Sequence, residues 1–131
     1  MPANFKRAIP RFASANAQCT VDFYSKILGF ELAVTWPAEN PKFIILERGS
    51  TRLAFDIVPG TPVQDLRSSN GFYLDTANVR ALHEEIWEQV TVEWGPEVYS
   101  YGCREFAIRD PDGHLLVFTE ATSDPPTCTV E

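Results

Sequence analysis

The stretch Ile9-Pro-Arg-Phe-Ala-Ser-Ala-Asn-Ala-Gln-Cys-Thr-Val-Asp-Phe-Tyr-Ser-Lys-Ile-Leu-Gly-Phe30 decides the fold, because its order of elements recurs in the second half of the chain. Ile9 to Phe12 reads as a short strand. Ser14-Ala-Asn16 is a capping cluster, and Ala17, Val21, Tyr24 and Leu28 follow it at helical spacing. Gly29 stands where a helix ends on a left-handed residue.

Beyond it, Phe30 to Trp36 reads as a strand, Pro37 to Pro41 as a turn and Phe43 to Leu46 as a strand apolar on both faces. Gly49-Ser50 then turns the chain into Arg52 to Val58, where Leu53, Phe55 and Ile57 alternate with Arg52, Ala54 and Asp56. In the second half Phe72 to Leu74 is a strand, and Asn78 caps a helix with an apolar stripe of Val79, Leu82 and Ile86. Val90 to Trp94, Arg104 to Arg109 and Leu115 to Glu120 supply three more strands.

The fold class is therefore α+β: a single domain of two βαβββ modules, residues about 5–58 and 70–121. A linker of about 59–69, rich in turn formers, joins them, and a tail of 122–131 reads as mobile or loosely docked. Neither module can hide both faces of its sheet alone. The expectation is a curved mixed sheet with helices over one face and a concave face left open to a ligand.

Composition narrows the function. The chain has 131 residues with 44% apolar and 22% charged side chains, ordinary for one globular domain. Eleven basic against eighteen acidic residues give a net charge of −7, and no basic cluster exceeds Lys6-Arg7, so nucleic acid is not an expected partner. No apolar run approaches the roughly twenty residues that cross a bilayer, and the start carries no secretory h-region. The expected setting is a bacterial cytoplasm, with Cys19, Cys103 and Cys128 matching no zinc or redox spacing.

Catalytic patterns are scarce. His83 has Trp87, not a second His, four residues on, and His114 sits just past the Asp110-Pro-Asp-Gly113 turn. Asp110 and Asp112 read as builders of that turn. Trp36, Phe43, Trp94, Tyr99 and Tyr101 lie outside the helical stripes, where flat side chains on an open sheet face can stack on planar ligands.

Ala17 to Phe30 and Arg104-Glu-Phe-Ala-Ile-Arg-Asp-Pro-Asp-Gly-His-Leu-Leu-Val-Phe118 resemble the two signature stretches of the glyoxalase, bleomycin resistance and extradiol dioxygenase superfamily. That resemblance implies paired strand-helix-three-strand modules across nearly the whole chain. It also implies, for metal-dependent members, one His or Glu ligand on each of four strands. Those positions fall here on Ile9, on Val117, on or near Gly71 and on or near Ala54, and none offers a donor atom. No metal and no cofactor are therefore expected.

Within the superfamily, Ala8-Ile-Pro-Arg-Phe12 and Gly102-Cys-Arg-Glu-Phe-Ala-Ile-Arg-Asp-Pro111 resemble bleomycin resistance proteins. This likeness implies an acidic, metal-free homodimer with a swapped N-terminal strand, which sequesters a cationic, planar-tailed antibiotic in grooves at the dimer interface. Alternation places Asp56, Tyr73, Asp75 and Glu105 on the open face, where the three carboxylates would attract a cation, while Trp36, Phe43, Tyr73 and Tyr101 would stack on a flat ring. Arg11, Arg52 and Arg109 share that parity, and pairing with these carboxylates would blunt the attraction. The alternative is a lyase, isomerase or dioxygenase of the same superfamily with a displaced metal site drawing on Asp56 and Asp75.

Overall fold

A computed structural model describes residues 3–64 and 71–128. Residues 65–69 of the expected linker, Asn70 and the last three residues of the tail lie outside the described residues. By its internal contacts the chain divides into two compact units, Met1–Pro62 and Val63–Glu131.

In the first unit β1 (Arg11–Ser14) leads into α1 (Ala17–Asp22), which widens into a π turn over Phe23–Ile27, followed by β2 (Glu31–Trp36), β3 (Phe43–Arg48) and β4 (Thr51–Ile57). The Asn16 side chain accepts the Cys19 N–H at 2.9 Å, giving one orphan donor of the first turn a partner. The sheet runs β1-β4-β3-β2, with β1 parallel to β4 and the other pairs antiparallel. On one face Leu53 and Phe55 of β4 meet Ile44 and Leu46 of β3, and all four are buried with Tyr24 and Leu28 of the helical segment. The Tyr24 ring centre lies 5.3 Å from that of Phe55 and 5.6 Å from that of Phe30. Each such buried side chain contributes about 1.5–3 kcal/mol.

The second unit repeats the order: β5 (Gly71–Asp75), α2 (Val79–Ile86) with a 3-10 turn at Trp87–Gln89, β6 (Val92–Tyr99), β7 (Cys103–Arg109) and β8 (Leu115–Ala121). Its sheet runs β5-β8-β7-β6 with the matching parallel pair, β5 and β8. Asn78 accepts the Ala81 N–H at 3.0 Å, as Asn16 does in the first unit. Phe106, Ile108, Leu116 and Phe118 form the helix-side core, and the His83 ring packs edge-on against Phe106 at 5.2 Å. Among the described residues the fold is thus α+β, with two α-helices and two four-stranded mixed sheets.

Most strand boundaries differ from the sequence reading by a residue or two, and two of the differences bear on the site. The first strand begins at Arg11, so Ile9 precedes it, although the Pro10 carbonyl still accepts the Ala54 N–H at 2.9 Å. The sixth strand, expected to stop at Trp94 before the turn-forming Gly95-Pro96 pair, continues to Tyr99. Register shifts between Val92 and Glu97 absorb the extra residues as a bulge. Gly95 has φ +79°, and a Cβ there would stand 2.3 Å from the Glu105 carbonyl oxygen, so the bulge requires glycine.

The tail makes definite contacts over its described part. Thr127 donates its N–H to the Val98 carbonyl at 2.9 Å and accepts the Val98 N–H on its hydroxyl at 2.8 Å, along the edge strand β6. No helix among the described residues is long and apolar enough to cross a membrane.

Candidate functional site

In each sheet the face turned away from the helix carries the residues that alternation placed there. In the first unit one cross-strand row reads Ala13, Asp56, Phe43, Trp36, and the next reads Arg11, Ala54, Ile45, Val34. Trp36 is 67% exposed at the edge. Arg11, opposite Ala54, reaches two residues along β4 and grips both Asp56 oxygens, at 2.6 and 2.8 Å, with its guanidinium 5.6 Å from the Phe43 ring centre. Hydrogen bonding to Arg11 holds the Asp56 carboxyl below its ordinary range. Asp56 is accordingly neutralised within its own sheet, the blunting that the shared parity foresaw.

The second unit is different. Its corresponding face has a row of Asp75, Thr119, Glu105 and Glu97 beside a row of Tyr73, Val117, Ala107 and Trp94. Glu105 is only 2% exposed, yet its partners are hydroxyls: Tyr101 donates to one oxygen at 2.6 Å and Thr119 to the other at 2.8 Å. Among the described residues no ion pair reaches Asp75, Glu97 or Glu105, and Arg109, on the same strand as Glu105, goes to Glu93 at 3.1 Å.

Aromatic rings surround this carboxylate row. Tyr101, in the hairpin between β6 and β7, stacks on Tyr99 with centres 5.6 Å apart, and Tyr99 meets Trp94 edge-on at 5.8 Å. Tyr73 and Tyr101 are 67% and 62% exposed. Burial of its hydroxyl end, then the hydrogen bond to Glu105, pushes the Tyr101 phenol well above the ordinary tyrosine range.

The expected site residues therefore fall into two sets, Trp36, Phe43 and Asp56 on one unit and Tyr73, Asp75, Tyr101 and Glu105 on the other. Trp94 and Tyr99, read above only as rings able to stack, lie beside the second set, and so do Glu97 and Thr119, which the sequence reading had not singled out. Glu97 was missed because the strand was read as ending before it. The register opposite Glu105 is the signal that finds it.

The positions assigned above to metal ligands carry Ile9, Ala54, Gly71 and Val117, side chains without a donor. On the same faces Asp56 is committed to Arg11, and both oxygens of Glu105 are taken by hydroxyls. A catalytic divalent ion needs about three converging protein ligands, and this residue set does not fit one. Donor atoms of Asp110, Asp112 and His114 lie within 4.8 Å of one another in the β7–β8 turn. There Asp110 accepts the N–H groups of Asp112 and His114, each at 2.9 Å, which is the turn-building role its position suggested.

Comparison with known proteins places this arrangement. The model of the Glyoxalase/Bleomycin resistance protein/Dioxygenase superfamily matches residues 11–118. The chain is similar to the crystal structure of a bleomycin resistance determinant encoded on the transposon Tn5, with 25% identity, a TM-score of 0.72 and coverage of 89% of this chain and 98% of that one. It is also similar to the bleomycin-binding protein of the bleomycin-producing Streptomyces verticillus, complexed with copper(II)-bleomycin, at 23% identity and a TM-score of 0.68, covering 94% and 100%. TnmS3, an antibiotic binding protein from Streptomyces sp. CB03234, is similar at 22% identity and a TM-score of 0.69, covering 92% and 100%. The last two likenesses speak to the fold alone. No curated protein matches the chain by sequence.

Proposed function

The chain belongs to the glyoxalase/bleomycin resistance protein/dioxygenase superfamily, and from that membership we propose that it binds and sequesters a small cationic, aromatic molecule, such as a bleomycin-type antibiotic, without turning it over. One observation carries the reading: exposed Tyr73 and Tyr101 flank a row of three carboxylates that no ion pair among the described residues reaches. A cation over a tyrosine face gains about 0.5–2 kcal/mol depending on desolvation. A carboxylate row beneath the rings adds Coulomb attraction that water screens least where the site is most covered.

The reading extends to a single metal-free domain working as a homodimer in the bacterial cytoplasm. An N-terminal strand exchanged between protomers is part of it, supported by residues 3–10, which form no strand, and by Phe5, which is 98% exposed. The likeness to a solved bleomycin resistance determinant, at 25% identity, supports the ligand class.

Titration calorimetry with bleomycin, followed in parallel by tryptophan fluorescence, tests the reading. Saturable binding that weakens as salt is raised is the expected result. Absence of heat and of any fluorescence change across a panel of glycopeptide and planar antibiotics would overturn it. Near-stoichiometric zinc, nickel, iron or manganese in protein purified without chelator would overturn its metal-free part.

A further inference from the structure

The tail crosses the hairpin that carries the stacked tyrosines, and it lies beyond residues 11–118 that the family model covers. It is anchored at three places. Thr122 donates its N–H to the Gly102 carbonyl at 2.9 Å, at the tip of the hairpin. Asp124 pairs with Arg104 on β7. Thr127 exchanges hydrogen bonds with Val98 on β6, and its hydroxyl also donates to the Glu97 carboxylate.

The anchors at Glu97 and Val98, Gly102 and Arg104 bracket Tyr99 and Tyr101. The Arg104 anchor is itself fixed from beneath. Arg104 is buried, lies 3.6 Å from Glu120, and Glu120 accepts the Val79 N–H at the start of α2. Between α2 and β6 the tail edges a cleft of about 440 Å³ lined in part by Arg80, His83, Glu97, Arg104 and Thr127. A hairpin tip without such ties opens at low free-energy cost, and Tyr101 would then leave Glu105.

We propose that residues 122–128 are a strap that holds the β6–β7 hairpin where Tyr101 reaches Glu105 and Glu97 stands in the carboxylate row, with Asp124 and Thr127 as positioning residues for the ligand face. The proposal rests on the binding function stated above for its ligand readout, and on geometry alone for the rest. Thr127 touches a row carboxylate directly. Asp124 acts through Arg104.

The test uses the full chain carrying Asp124→Asn, Thr127→Val, both together, and Thr127→Ser as the conservative variant. Amide hydrogen exchange, near-ultraviolet circular dichroism and bleomycin titration are measured on each. The double variant is expected to exchange about tenfold or more faster over residues 97–104, with α2 and β8 unchanged. Its tyrosine dichroism should diminish, and its bleomycin affinity should fall by about tenfold. Thr127→Ser should restore all three relative to Thr127→Val.

Unchanged exchange over 97–104 in the double variant would overturn the strap. Faster exchange with unchanged bleomycin affinity would overturn its role in positioning the ligand face. If the unaltered chain binds no bleomycin, the binding function fails, and exchange with dichroism still decides whether the strap holds the hairpin.

Discussion

Glu105 sits 2% exposed with hydroxyls, not cations, at both oxygens. Burying a carboxylate without an ionic partner costs several kcal/mol, only part of which two O–H donors offset. Glu105→Ala leaves the Tyr101 and Thr119 hydroxyls without their acceptor and is expected to cost about 1–3 kcal/mol in denaturant melts. Glu105→Gln keeps the size and an acceptor, so it should lose less stability while losing affinity for a cationic ligand. Equal affinity in Glu105→Gln and the unaltered chain would remove Glu105 from the site. Tyr101 has a phenol raised above the value of about 10 in an unfolded chain. Its contribution is complete below that pH and is lost as pH climbs past about 10 toward the raised value. Alkaline melts of Tyr101→Phe should therefore fall less steeply above about pH 10 than those of the unaltered chain. Alternation made the parity of Glu105 and Asp75 legible in the sequence. The Tyr101 contact was not, because a hairpin tip has no period.

The elements owe their ends to short signals that the sequence shows plainly. Asn16 and Asn78 each cap a helix with one side-chain hydrogen bond. Replacing either by Ala should cost about 1 kcal/mol, read as a drop of a few degrees in melting temperature. Additive losses in the double variant are expected, since the two caps belong to separate units. Strand β6 is the element whose sequence misled. Gly95-Pro96 is a turn signal wherever nothing overrides it. Here pairing with β7 on both sides of the bulge outweighs the local preference. Gly95→Ala would press a Cβ against the Glu105 carbonyl and strain a positive φ. It should cost more than about 1 kcal/mol and disturb the Tyr99–Tyr101 stack, which near-ultraviolet dichroism would report.

Over the whole molecule, the net charge of −7 acts as a field as well as a guard of solubility. Raising salt from about 0.05 to about 0.5 M shortens the screening length severalfold, so affinity for a cationic ligand should fall while the melting temperature changes little. On the acid side, hydrogen bonds to Arg11 and Arg104 lower the Asp56 and Asp124 carboxyls. Their contribution is present above the unfolded value of about 3.9 and lost as pH falls through the depressed ones. Asp56 is about a third exposed and Asp124 more than half, so solvent screens both pairs and the loss should be small and confined to strongly acid solution. The sequence by itself determined the duplicated order of elements, the helix caps and the shared faces of Asp56, Tyr73, Asp75 and Glu105 on their strands. Those depend on periods of two and four residues and on single capping side chains, all readable locally. Only the tertiary structure decided that β1 pairs with β4, that Arg11 takes Asp56 across 45 positions, that Tyr101 closes on Glu105, and that the tail ties down β6. Partner choice among strands is a contest of packing and hydrogen bonding between distant segments, and no local period encodes its outcome.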